Sequence, residues 1–145
     1  LGPVTATDAL ARSRNIPAVT VAARLRQPSF YDFLRQAGIR DMASAEHYGL
    51  ALVLGGGEVT LEELATLYAM LSRDGQLSPL SVLRQDQAAR GGKAMLSAEA
   101  SFIVRDMLSQ HPRPDFATHA DTDARRVAWK TGTSWGFRDA WTAGI

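Results

Sequence analysis

The sequence predicts a mainly helical α+β domain that closes in a pair of antiparallel strands. Capped segments with apolar residues at helical spacing fill most of the chain before residue 110, and only the last stretch turns to strand-forming side chains around a turn. A length of 145 residues with 46% hydrophobic and 21% charged side chains suits one packed core and excludes a disordered chain.

Thr5 or Thr7 can cap a first helix running to about Arg12, after which Ser13-Arg14-Asn15 forms a polar break. Pro17 suits the first turn of a second helix, where its missing N–H is not needed; Val19, Val21, Ala22 and Leu25 follow, with an end near Gln27-Pro28. A third helix, Ser29 to about Ala37, places Phe30, Phe33, Leu34 and Ala37 at i, i+3, i+4 and i+7 and is closed by Gly38. The apolar stretch Gly49 to Leu54 runs into Gly55-Gly56-Gly57. Thr60 with Glu63 then gives a capping-box pattern for a strong helix carrying Leu61, Leu64, Leu67, Tyr68 and Leu71, stopped at Gly75.

Residues 77–95 read as irregular, with a short strand at Ser81-Val82-Leu83. Ser97 caps a further helix through Phe102, Ile103, Val104, Met107 and Leu108, stopped by His111-Pro112, and Pro112 to Arg125 reads as a polar loop. Arg126 to Ser134 then reads as a strand, Trp135-Gly136 as a turn and Phe137 to Ile145 as its antiparallel partner. Phe30, Phe33, Tyr68 and Phe102 are the expected aromatic core. Trp135, Phe137 and Trp141 could stand beside a cleft, but packing is the favoured reading.

Several functional classes are excluded. The 16 basic and 15 acidic residues are mixed along the chain, so there is no footprint for a polyanion and nucleic acid is not an expected partner. The absence of cysteine removes disulfide frameworks and thiolate metal sites, and His47, His111 and His119 are too scattered to suggest another metal site. No apolar run is long enough to span a bilayer, and no charged-then-apolar leader opens the sequence. Gly91-Gly92-Lys93 fails as a phosphate loop, because Ala94 follows the lysine and Gln87 stands where the first glycine is needed.

Two polar constellations remain: Ser13-Arg14-Asn15 at a helix junction, and Lys130-Thr131-Gly132-Thr133-Ser134 on the penultimate strand. Taken singly, the first reads as a helix cap and the second as a solvated edge strand. Together, and in this order, they resemble the SxN and KTG elements of the serine penicillin-recognising enzymes. Ala9 to Val19 is similar to the SxN segment of that group. Tyr48 to Gly55, Glu58 to Ala65 and Tyr68 to Leu71 are similar to the core helices of class A (bifunctional) penicillin-binding proteins. Lys130 to Ser134, followed by Arg138-Asp139-Ala140-Trp141, resembles the C subtype most closely. The resemblance covers nearly the whole chain, and residues 77–125 contribute least.

The resemblance implies a penicillin-binding transpeptidase or β-lactamase-like fold, of which residues 1–145 would be a partial domain from SxN to KTG, truncated at both ends. It implies peptidoglycan D-Ala-D-Ala transpeptidation by serine acyl transfer, with stem peptides and β-lactams as partners and no cofactor or metal. The parent would carry a glycosyltransferase domain and an inner-membrane anchor, with this soluble piece on the periplasmic side. Ser13 would relay a proton, Asn15 would fix the amide on the acyl side of the substrate, and Lys130 would favour an electron-rich Ser13 hydroxyl and attract the substrate carboxylate. Thr131 and Thr133 would donate hydroxyls to that carboxylate, and the Thr133 N–H would form half of the oxyanion hole. Strand alternation sends Lys130 and Thr131 to opposite faces, so the site should run along the strand's edge, where Gly132 lets an extended peptide approach.

The departure from the family pattern is the nucleophile. Only Lys93 and Lys130 are lysines, and Arg90 and Val127, not serines, stand three positions before them, so the SxxK element is absent. The chain is therefore expected not to be acylated. It also starts without methionine and stops inside a strand, which reads as an excised piece whose uncovered edges should promote self-association. The alternative is a non-catalytic helical interaction module in which Ser13 and Asn15 are caps and Lys130 is an edge charge. Class C β-lactamases are a nearer alternative, disfavoured by the Glu58 to Leu71 block.

Overall fold

The computed structural model describes residues 2–81, 83, 91–110 and 127–145. Thr5 accepts from the Asp8 N–H at the start of α1 (Ala6–Ala11), so Thr5 and not Thr7 is the cap. α2 (Asn15–Arg24) follows after a sharp turn and ends three residues before the expected Gln27, with Leu25 already extended. The Gln27–Pro28 peptide is cis. α3 (Phe30–Gln36) has a full capping box between Ser29 and Asp32, and α4 (Ala45–Tyr48), a single turn capped by Ser44, leads into a 3₁₀ helix at Gly49–Leu54.

α5 (Leu61–Ser72) starts at the expected capping box. The Thr60 hydroxyl accepts from the Glu63 N–H, and Glu63 Oε2 accepts from the Thr60 N–H at 2.9 Å. Its other oxygen receives the Arg40 N–H at 3.3 Å, tying the loop after α3 to the head of α5. β1 (Gln76–Leu77) and β2 (Lys93–Ala94) form a minimal antiparallel pair within the stretch expected to be irregular. Ser81 and Leu83 lie outside any strand, and Val82 lies outside the described residues, as do His111, the Pro112 to Arg125 loop and Arg126.

α6 (Ala98–Ser109) is capped by Ser97 as expected, and β3 (Trp129–Thr133) pairs antiparallel with β4 (Ala140–Gly144) through a short 3₁₀ turn at Trp135–Phe137. The mainly helical α+β reading with a C-terminal strand pair therefore holds. A two-stranded ribbon is marginal alone; here β3 leans on α6 and β4 on α5.

The core sits where α3, α4 and the following 3₁₀ helix meet. Leu34, Ile39, Tyr48 and Leu52 are buried, with Phe30, Phe33 and Leu67 packed around them. Tyr48 secures this region by its polar end, accepting the Ala43 N–H at 2.9 Å and donating to Glu58 Oε2 at 2.7 Å. That bond pulls the Glu58 carboxyl below its ordinary range and raises the tyrosine.

Phe102 corrects the expected aromatic core: it is 62% exposed. α6 presents Ser101 and Leu108 inward, and a residue one position from Ser101 lies about 100° around the helix. Gly75 marks the end of α5 for a steric reason, since at φ +83 a Cβ would stand 2.2 Å from the Leu96 carbonyl oxygen.

Thr60→Ala should lower stability by about 1 kcal/mol in chemical denaturation. Backbone and side-chain bonds from Thr60 hold the Glu63 carboxyl below its ordinary range. The stabilisation it brings is complete above the unfolded-state pKa and is lost as pH falls through the folded-state value. Glu63→Gln should flatten the acid limb of the stability–pH curve in that window.

Candidate functional site

The two polar constellations, far apart in sequence, meet in one groove of about 680 Å³. Ser13, Arg14 and Asn15 contribute from the α1–α2 junction, and Lys130, Thr131, Gly132 and Thr133 from β3. The rest of the lining is apolar and comes largely from the helices, including Leu10, Val21, Leu25, Leu54 and Met107.

Ser13 is placed by the way α1 ends. Its N–H donates to the Leu10 carbonyl at 3.1 Å, and the Arg14 N–H donates to the Ala9 carbonyl at 2.9 Å, the paired bonds of a Schellman turn. The residue at the bend must be left-handed, and Ser13 has φ 51. α3 closes with the same pair of bonds around Gly38 at φ +95. A serine thus occupies a position that favours glycine, which costs about 1–2 kcal/mol of local conformational energy. The strained backbone aims its hydroxyl at β3, and Lys130 Nζ donates to Ser13 Oγ.

Asn15 is the first residue of α2 and is exposed. No side chain caps this helix among the described residues, so neither Ser13 nor Asn15 has the capping role that a non-catalytic module would give it. Lys130 is half-buried, donates also to the Thr131 carbonyl at 2.7 Å, and has its pKa pushed down by burial. A lysine destabilised as a cation and touching a hydroxyl is suited to moving a proton across that contact.

Register explains how β3 offers its motif. Trp129 lies opposite Gly144, Thr131 opposite Thr142 and Thr133 opposite Ala140, and the bonds between Ala128 and Ile145, both 2.9 Å, extend the ladder. With β4 on one side, Thr131, Gly132 and Thr133 remain exposed along the groove. A Cβ at Gly132 would meet nothing within 4 Å, so the chain's own packing does not demand a glycine there. At the hairpin tip, the Asp139 N–H donates to Ser134 Oγ at 2.8 Å, and Gly136 and Phe137 are both left-handed. Phe137 is 87% exposed, and neither it nor Trp141 lines the groove.

Sequence reasoning did not find the groove's apolar walls as part of a site. Ala6, Leu10, Leu54 and Met107 carry no chemical signature, and only tertiary packing brings them together. It also missed α4, although Ser44 was a legible cap, and the bond between Tyr48 and Glu58, which no local spacing announces.

The mainly helical fold closed by paired strands is consistent with a penicillin-binding transpeptidase domain. Residues 1–140 match the family described as penicillin binding protein transpeptidase domain, and the chain belongs to it. It is 33% identical to penicillin-binding protein 1C of Escherichia coli over 147 aligned residues, which cover 99% of this chain and 18% of that protein. It is 28% identical to penicillin-binding protein 1B of Escherichia coli and 25% identical to penicillin-binding protein 1A/1B of Bacillus subtilis, again over 99% of this chain and 18% of each relative. The chain thus spans about a fifth of the length of these relatives, and the expected likeness to class A penicillin-binding proteins is borne out.

Ser13→Gly should leave folding stability unchanged or raise it by up to about 1 kcal/mol, because the left-handed turn no longer opposes a Cβ. Ser13→Val, β-branched at the same φ, should lower stability by about 1–3 kcal/mol. Paired denaturation curves separate the backbone cost from the loss of the hydroxyl, which both variants share.

Proposed function

We propose that this chain is the SxN-to-KTG part of a peptidoglycan D-Ala-D-Ala transpeptidase domain. It holds the peptide, while the acylated serine and its lysine come from outside these 145 residues. The contact from Lys130 Nζ to Ser13 Oγ, across 117 positions of sequence, carries the reading, because it joins two groups able to exchange a proton within the lining of one groove. In this proposal Ser13 and Lys130 shuttle the proton needed by the leaving amine and Asn15 holds the acyl-side amide. Thr131 and Thr133 bind the terminal carboxylate, and the Thr133 N–H helps to stabilise the oxyanion. The open space over Gly132 supports an extended peptide pairing with β3. A parent with an added glycosyltransferase domain, anchored in the inner membrane with this domain outside it, belongs to the same proposal. No helix among the described residues is long and apolar enough to cross a membrane.

Intact mass after incubation with a penicillin tests the division of labour. This chain should show no adduct, and a chain extended upstream through an SxxK segment should gain one. An adduct on the 145-residue chain itself would overturn the assignment of the nucleophile. In the extended chain Gly132→Ala should slow acylation while leaving the melting temperature within error, because the added methyl meets only the approaching ligand.

The same proposal includes self-association of the isolated chain. α2 has no buried residue, and Ile16, Val21 and Leu25 are 79%, 62% and 49% exposed. Light scattering coupled to size exclusion should give a mass above the 15.7 kDa of one chain at high concentration. A clean monomer would refute this part.

A further inference from the structure

Residues 48–58 form a loop that closes on itself. Tyr48 ends α4 with its ring buried among Leu34, Ile39 and Leu52. Its hydroxyl donates to Glu58 Oε2 at 2.7 Å, across ten positions of sequence, while accepting the Ala43 N–H at 2.9 Å. Between Tyr48 and Glu58 lies the 3₁₀ helix Gly49–Leu54, so the chain must double back over that helix for the two to meet. Gly55, Gly56 and Gly57 make the return. The Gly55 N–H donates to the Leu52 carbonyl and the Gly56 N–H to the Ala51 carbonyl, both at 3.1 Å, with Gly55 left-handed at φ +95. A Cβ on Gly56 would stand 3.1 Å from the Ala51 carbonyl oxygen, and one on Gly57 would stand 2.8 Å from Leu52 Cδ1. The glycines thus allow the close approach that lets Glu58 reach Tyr48.

This closed loop is the main support of α2, which has no buried residue and packs chiefly against the 3₁₀ helix, with α1 as a second neighbour. Asn15 begins α2, and Val53 and Leu54 of the 3₁₀ helix line the groove together with Ala18 and Val21 of α2. Neither Tyr48 nor Glu58 lines the groove. We infer that Tyr48 and Glu58 are positioning residues: their bond clasps the loop, the loop carries α2, and α2 brings Asn15 and the helical wall to their places opposite β3. The inference rests on the transpeptidase reading for what the groove does, and on these contacts alone for what holds α2.

The test is ¹⁵N relaxation of the chain at dilute concentration, which reads motion within the native state and not global stability. Tyr48→Phe keeps the buried ring, and Glu58→Ala alters an exposed position. In each, the order parameters of the α2 amides should fall from about 0.85 toward about 0.6 while those of α5 stay unchanged. Glu58→Gln, whose amide oxygen can still accept from Tyr48, should restore most of the order. In a chain extended upstream through an SxxK segment, the first two variants should slow acylation by a penicillin several-fold, with Glu58→Gln close to the unaltered rate, because a misplaced Asn15 costs orientation. Unchanged α2 motion in both variants overturns the clasp, and a loosened α2 with an unaltered acylation rate overturns its positioning role. An extended chain that is not acylated even without substitution overturns the proposed function and the positioning role together, and the relaxation data then decide what holds α2.

Discussion

The left-handed turn at Ser13 is the constraint on which the working surface depends. α1 must end in a Schellman turn for α2 to leave in a new direction, and the residue at the bend carries both the conformational cost and the hydroxyl that Lys130 meets. A glycine would make the turn more easily but could not make the contact. Local strain here is thus tied to a side-chain position, and the bonds from the Ser13 and Arg14 N–H groups to the Leu10 and Ala9 carbonyls hold it in place.

Charge and burial complete the arrangement. Lys130 is drawn partly out of water by burial, which weakens its hold on a proton, and among the described residues it donates to a hydroxyl and a backbone carbonyl. A carboxylate partner would have restored the cation and fixed the ammonium in place. The groove instead offers neutral donors and positive charge, a setting for an anionic ligand.

Much of the helical architecture was legible because it depends on local rules. Thr60 with Glu63, and Ser97, announced helix starts through side chains that bond three residues ahead, and Gly38 and Gly75 announced ends through left-handed backbone. The burial pattern was less legible. Phe102 sits on an apolar segment yet faces outward, because the tightest approach on α6 goes to the small Ser101, and α2 is apolar yet nowhere buried. The candidate site residues could be singled out by type and order. Their meeting point was not legible, since a turn at residue 13 and a strand edge at residue 130 come together only through the packing of α1 on α6 and of α6 on β3.

The absence of buried residues on α2 sets a gradient across the molecule. α3, the 3₁₀ helix and α5 share the core, so their amides open only with much of the fold. α2 packs from one side alone, against the 3₁₀ helix and α1, and its amides should exchange with solvent through small, frequent openings. Asn15 begins that helix, whereas Lys130 lies in a strand laddered to β4. The Asn15 side of the groove should therefore open more readily than the core, and how accurately it meets β3 depends on whatever restrains the outer face of α2.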